Sequence, residues 1–237
     1  MTGAALQPDF PPLLTGLSVG LADPFAAALA QVQSEVEPGL VHYAETEDVL
    51  RAAVTLAPEE PLRDAIGAVM AVQLGLADSL GSLAPPEVAV QFGWPDVLRV
   101  NGAMCGRFRA IASTRDPEIE PDWLVVGIEV NMQPKAGEEP GATPDTTTLF
   151  AEGCGDITAP MLIEAWARHM LLWIHHYLND GLAPLHAHWR GKCDKLGAEV
   201  TTPEAGTFVG LDARGGMLLR QGTVTKLLPL TTILEGI

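Results

Sequence analysis

The chain is 237 residues long and 47% hydrophobic, with 14 Lys and Arg against 30 Asp and Glu, a formal charge of −16 and a pI near 4.6. That is enough apolar material to bury a real core, as one large domain or one domain with a small appendage. So acidic a chain repels phosphate backbones and anionic lipid surfaces, which excludes nucleic acid as a partner, and no stretch approaches the roughly 20 apolar residues of a membrane span.

The opening stretch MTGAALQPDFPPLLTGLSVG has no basic n-region and two prolines in a row, so it reads as an extended lead-in rather than a signal peptide. Asp23-Pro24 starts a helix, with Asp as cap and Pro suited to the first turn; it runs through FAAALAQVQSEVE and stops before Pro38-Gly39. GLVHYAE (39–45) alternates like a strand, and LRAAVTLAP (50–58) is a second β-compatible run. Residues 61–82 read as a helix with Leu62, Ile66, Val69, Met70, Leu74 and Leu80 roughly on one face. Pro85-Pro86 ends it. VAVQFGW and VLRV are strands, and Asn101-Gly102 has the chemistry of a type I′ hairpin turn. CGRFRAIAS returns as a strand, and WLVVGIEVNM (123–132), the most continuous apolar run, is a central strand. KAGEEPGATPDTTT (135–148) is a polar loop. Residues 159–178 form the clearest helix, with Leu162, Trp166, Met170, Trp173 and Tyr177 on the helical rhythm and Gly181 past its end. From about residue 197, short strands with glycine turns form a small β module.

Cys105, Cys154 and Cys193 show no CxxC spacing and read as reduced thiols of a cytoplasmic protein. Taken together, the order of segments resembles the biotin protein ligase/lipoate-protein ligase superfamily, from about residue 20 to the end. GLVHYAET resembles the segment before the family's nucleotide loop and LRAAVTLAPEEPL the strand after it. GWPDVLRVNGAMCGRF resembles the family's Trp-Pro-Asn-Asp hairpin, and WLVVGIEVNM its Gly-Ile-Gly-Ile-Asn strand. The long helix and LHAHW resemble the C-terminal helix and tryptophan, and GTFVGLDARGGMLLRQG resembles the SH3-like domain of bacterial biotin ligases. The resemblance implies an α+β fold: a mixed sheet with helices over 1–192, then a small SH3-like β-barrel over 193–237. It leaves no room for the family's DNA-binding N-terminal domain. It also implies ATP and biotin or lipoate as cofactor and substrate, a small carboxylate or a biotinyl/lipoyl carrier domain as partner, and homodimerisation through the sheet.

Two departures bear on the chemistry. Activating a carboxylate with ATP gathers negative charge on phosphates, so the site needs cations and backbone donors aimed at them. The family supplies a GRGRxGR loop and a lysine. Between AET (44–46) and LRAAV (50–54) only Glu47, Asp48 and Val49 remain, and the position three residues before Gly106 is Ala103. The first lysine of the chain is Lys135.

Strand alternation places Ala103, Cys105, Arg107 and Arg109 on one face. Arg107, with Arg109 or Arg99, then brings positive charge to the inherited pocket, where an arginine forks onto a carboxylate but carries no proton. Surface pairing with some of the many acids is the plainer reading of the same arginines. The candidate ligand-binding residues are Trp94, Asp96, Gly106, Arg107, Arg109 and Asn131. Arg107 and Cys105 are the weak catalytic candidates, Cys105 because transferases of the superfamily include cysteine nucleophiles. Cys154, in EGCGDI before a helix start, is a further thiol to weigh. His175-His176, His186, His188 and Cys193 make too vague a ligand set for zinc, and no metal is assigned. GLDARGGM lacks the lysine and helix of a phosphate loop and reads as a hairpin turn. Two readings stand: a divergent ligase or acyltransferase, and a non-catalytic member that binds a biotin- or lipoyl-like ligand or a carrier domain. Use of the sheet as a protein interface is a third.

Overall fold

The computed structural model describes residues 7–134 and 145–236; most of the 135–148 loop, with Lys135, lies outside them. In chain order the elements are β1 (Thr15–Ser18), α1 (Pro24–Val32), β2 (Leu40–Tyr43), β3 (Val49–Leu56), α2 (Leu62–Ala65), α3 (Ala68–Leu83), β4 (Val90–Gly93), β5 (Val97–Val100), β6 (Ala103–Ala112), β7 (Leu124–Asn131), α4 (Ala159–Asp180) and α5 (Leu182–Gly191). β8 (Glu199–Val200), β9 (Gly206–Leu211), β10 (Met217–Gln221), β11 (Val224–Leu228) and a 3-10 turn over Leu230–Ile233 complete them. The first seven strands form one mixed sheet, β1-β2-β3-β7-β6-β5-β4, in which only β1 and β2 run parallel. β7 lies at its centre, as its continuous apolar run predicts. The last four strands form an antiparallel sheet, β11-β10-β9-β8. The whole is the α+β architecture expected, a mixed sheet with helices followed by a small β unit.

Local chemistry accounts for the element ends. Asp23 caps α1 by accepting from the Phe25 amide at 3.0 Å, with Pro24 in the first turn. α1 stops at Val32, short of the expected end. Asn101 and Gly102 both take positive φ, 50° and 88°, as a type I′ turn requires. Gly181, at φ 72°, divides α4 from α5, which the sequence reading did not separate as a second helix.

One face of the sheet carries the main core with α3, α4 and α5; the other is covered by α1. The expected helix over 61–82 breaks at Ile66-Gly67 into α2 and α3. Taken across that break, Leu62–Leu83 spans 22 residues and holds a window of mean hydropathy 1.4, 78% of it buried, which by length and composition alone corrects the expectation that no segment could span a bilayer. The physical reason is position, because α3 is sandwiched between sheet and α4. At their crossing a Cβ on Gly75 would lie 2.6 Å from the Met170 Cα, so only glycine admits the approach.

A buried polar relay ties the hairpin to these helices. The Gln73 amide donates to the Pro95 carbonyl at 2.8 Å and accepts from Trp189 Nε1 at 2.6 Å. The Trp189 ring stacks on Phe92, centroids 5.5 Å apart. Burial of each such aromatic contributes roughly 1.5–3 kcal/mol, more than the ~1 kcal/mol of a net hydrogen bond. The relay therefore chiefly sets orientation.

Candidate functional site

The α1 face of the sheet carries a row of charges across its three central strands. Arg51 on β3, Glu129 on β7 and Arg107 on β6 are directly opposite one another, so their side chains share a face. Arg51 Nε donates to Glu129 Oε1 at 2.9 Å and Arg107 Nε to Oε2 at 2.6 Å. Two positions along, Gly127 lies between Ala53 and Arg109. A Cβ there would lie 2.7 Å from the Phe25 ring, so the glycine lets α1 seat Phe25 on the sheet.

Arg109 sits with its guanidinium carbon 4.1 Å above the centre of that ring. Its Nε and Nη2 fork onto Glu235 at 2.7 and 2.9 Å, and Nη1 reaches Asp23 at 3.3 Å. The electrostatics follow. Burial alone would raise the Glu129 carboxyl, but the hydrogen bonds and charges of Arg51 and Arg107 outweigh it and hold the carboxyl below its ordinary range. The Arg109 fork chiefly holds Glu235 low as well. Burial raises the Asp96 carboxyl, opposed by a backbone hydrogen bond and nearby Arg107.

The predicted residues separate. Arg107 and Arg109 share the α1 face as expected. Cys105 does not, and this corrects the shared-face expectation: Leu98 pairs with Gly106 but Arg99 with Met104, so Cys105 is the extra residue of a β-bulge. The bulge turns Cys105 into the main core, fully buried, and Ala103 off the arginine face, opposite buried Val100. Burial, with Glu152 and Cys154 adding, pushes the Cys105 thiol up to about 12.

Trp94 is buried, and its indole donates to the Gly215 carbonyl at 2.9 Å, docking the C-terminal unit. Asp96 uses its carbonyl to accept from Phe108 at 2.7 Å, and its carboxyl lies near Arg107 and Glu235. Gly106 lets β6 close on β7, since its Cβ would be 2.2 Å from the Glu129 carbonyl. Asn131 tethers the segment after 144: its carbonyl accepts from Leu149 at 2.9 Å and its amide donates to Thr147 at 3.3 Å. Arg99 pairs with Asp194 at 3.1 Å. Glu47 and Asp48 lie in the connection from β2 to β3, where the Asp48 carbonyl accepts from Met132 and Gln133. His176 pairs with Asp180, and His188 contacts the Pro184 carbonyl. Among the described residues no cluster of three His, Cys, Asp or Glu side chains could hold a metal ion.

The sequence reading missed Arg51, Glu129 and Glu235, and gave Asp23 only its role as a helix cap. Two signals were present: an arginine and a glutamate interrupt otherwise apolar strands, LRAAV and WLVVGIEVNM. Nothing in sequence points to Glu235. A cavity of about 680 Å³ also opens at the ends of β2 and β7, lined by Tyr43, Met132, Ile157 and Ile163, with Glu45 and Glu47 at its rim.

Residues 10–191 match the biotin/lipoate A/B protein ligase family, and 196–236 match a domain of unknown function, DUF4444. No curated protein matches the chain. Among solved structures, a biotin protein ligase-like protein of unknown function from Silicibacter sp. TM1040 is 48% identical, with a TM-score of 0.91 over 97% of this chain and 100% of that one. The biotin protein ligase from Aquifex aeolicus, in its apo form, is 18% identical, with a TM-score of 0.72 over 91% of this chain and 95% of that one. The same ligase in complex with biotin and ATP gives 18% and 0.69, over 91% and 95%.

Proposed function

The chain belongs to the biotin/lipoate A/B protein ligase family, and from that premise we propose that it binds a small carboxylic acid of the biotin or lipoate type without activating it. One observation carries the reading: the arginines of the α1 face, Arg51, Arg107 and Arg109, are all engaged by carboxylates of the chain itself, Glu129, Glu235 and Asp23. Adenylation needs uncompensated positive charge where phosphate oxygens gather, and this face has about as much negative charge as positive. Glu47 and Asp48 stand where the family's phosphate loop is missing, and Ala103 replaces its lysine. A monocarboxylate asks for much less: one guanidinium with two donors in a plane. Arg107, with 58% of its side chain exposed and, among the described residues, only Nε hydrogen-bonded, to Glu129, offers that. The ligand class follows the relatives, since the Aquifex aeolicus ligase is solved with biotin and with biotin and ATP.

Acyl transfer through Cys105 is disfavoured by a buried thiol with a pKa of about 12, on the opposite side of the sheet from the arginines.

The test pairs two assays. Exchange of pyrophosphate into ATP with biotin, lipoate or octanoate should stay at background. One of the acids should raise the melting temperature; saturation at 100 times Kd adds roughly 2.7 kcal/mol. Arg107→Ala should remove that gain. Exchange above background with any of the acids overturns the non-adenylating reading.

A further inference from the structure

Glu235 meets Arg109 in the geometry a bound carboxylic acid would adopt. We propose that Arg109 is a carboxylate seat, that Glu235 is its internal occupant, and that a small monocarboxylic acid binds by displacing Glu235. The inference rests on the acid-binding reading above and adds, beside Arg107, a second seat and its gate.

The seat is built in advance of any ligand. Phe25 supports the guanidinium from below at 4.1 Å, and Asp23 holds Nη1 at 3.3 Å, which leaves Nε and Nη2 as a parallel pair of donors. These are the two donors that Glu235 takes. The pairing joins residues 126 positions apart, so it depends on where the C-terminal segment is docked. That segment is anchored by its backbone. Arg115 Nη2 donates to the Leu234 carbonyl at 2.6 Å, the Glu235 amide donates to the Ala110 carbonyl at 2.8 Å, and Leu234 is buried.

The Glu235 side chain, 41% exposed, can therefore leave by rotating about its own bonds while the backbone stays docked. Exchange trades one fork for an identical fork and forms or breaks no covalent bond. Glu129 contrasts with it: it stands on the central strand between two arginines and is 23% exposed, so Arg107 keeps its partner. A tethered carboxylate competes at high effective concentration, so the Arg109 seat binds weakly in the wild-type chain and strongly once Glu235 is neutralised.

Isothermal titration with octanoate, biotin and lipoate tests this on the full chain and on Glu235→Gln, Glu235→Asp and Glu204→Gln. Glu204 pairs with Lys226 in the C-terminal sheet, so its substitution makes the same change of net charge elsewhere. Glu235→Gln should bind at least one acid about tenfold more tightly, or bind one that the wild type does not. Glu235→Asp, too short to fork, should fall between them, and Glu204→Gln should match wild type. Adding Arg109→Lys to Glu235→Gln should abolish the gain. An acid that binds wild type through Arg107 with affinity unchanged or weakened in Glu235→Gln overturns the gate and leaves the acid-binding reading standing. An equal gain in Glu204→Gln reduces the effect to overall charge and also overturns it. If no acid binds either protein at millimolar concentration, both the gate and the acid-binding reading fail.

Discussion

Replacing Glu129 by glutamine tests whether the charge row is a structural brace. The carboxylate spans three strands, taking Arg51 at 2.9 Å and Arg107 at 2.6 Å. The exposures are 36% for Arg51, 58% for Arg107 and 23% for Glu129, so solvent screening discounts both pairs to ~0.2–1 kcal/mol each. Glu129→Gln should therefore destabilise by about 1 kcal/mol at pH 7, which for a chain of this size lowers the melting temperature by ~2–4 °C. The sign with pH follows from the depressed folded-state pKa of Glu129. Its contribution is complete above the ordinary carboxylate value of about 4.3 and disappears as pH falls through the lower folded value. Urea unfolding of wild type and variant at pH 7, 5 and 3.5 should show the same gap at the first two and a smaller one at the last. A gap independent of pH, or none at pH 7 in low salt, would refute the brace.

Gly81 faces open space on α3, so Gly81→Ala should raise stability by roughly 0.5–1 kcal/mol. Gly75→Ala, pressed against the Met170 backbone, should lower the melting temperature or prevent folding; a neutral result would refute the close crossing. Native Cys105 and Cys193, whose thiols burial pushes to about 12, should react with a disulfide reagent at pH 8 far more slowly than in urea. His42 is buried, with Nδ1 unpartnered. Burial lowers its pKa against the opposing pull of Glu37, so the unfolded chain binds the extra proton. Stability should then fall as pH drops through about 6.5, and His42→Leu should flatten that slope in denaturant melts between pH 5 and 8.

Much of this fold is local and was legible in the residues. The Asp23-Pro24 start, the Asn101-Gly102 turn and the rhythm of Leu162, Trp166, Met170 and Trp173 each rest on short-range chemistry, and each appears in place. The sequence also shows directly that position 103 is alanine and that Glu47, Asp48 and Val49 are all that lies between AET and LRAAV. Tertiary structure decided the rest. The bulge at Cys105 depends on how β5 and β6 align, and strict alternation carries no sign of it. Glu129 meets Arg51 across 78 residues and Glu235 meets Arg109 across 126. A sequence shows which charges a chain owns. Which of them neutralise one another is set by strand register and by the docking of the C-terminal segment, because Coulomb pairing depends on distance in space and not along the chain.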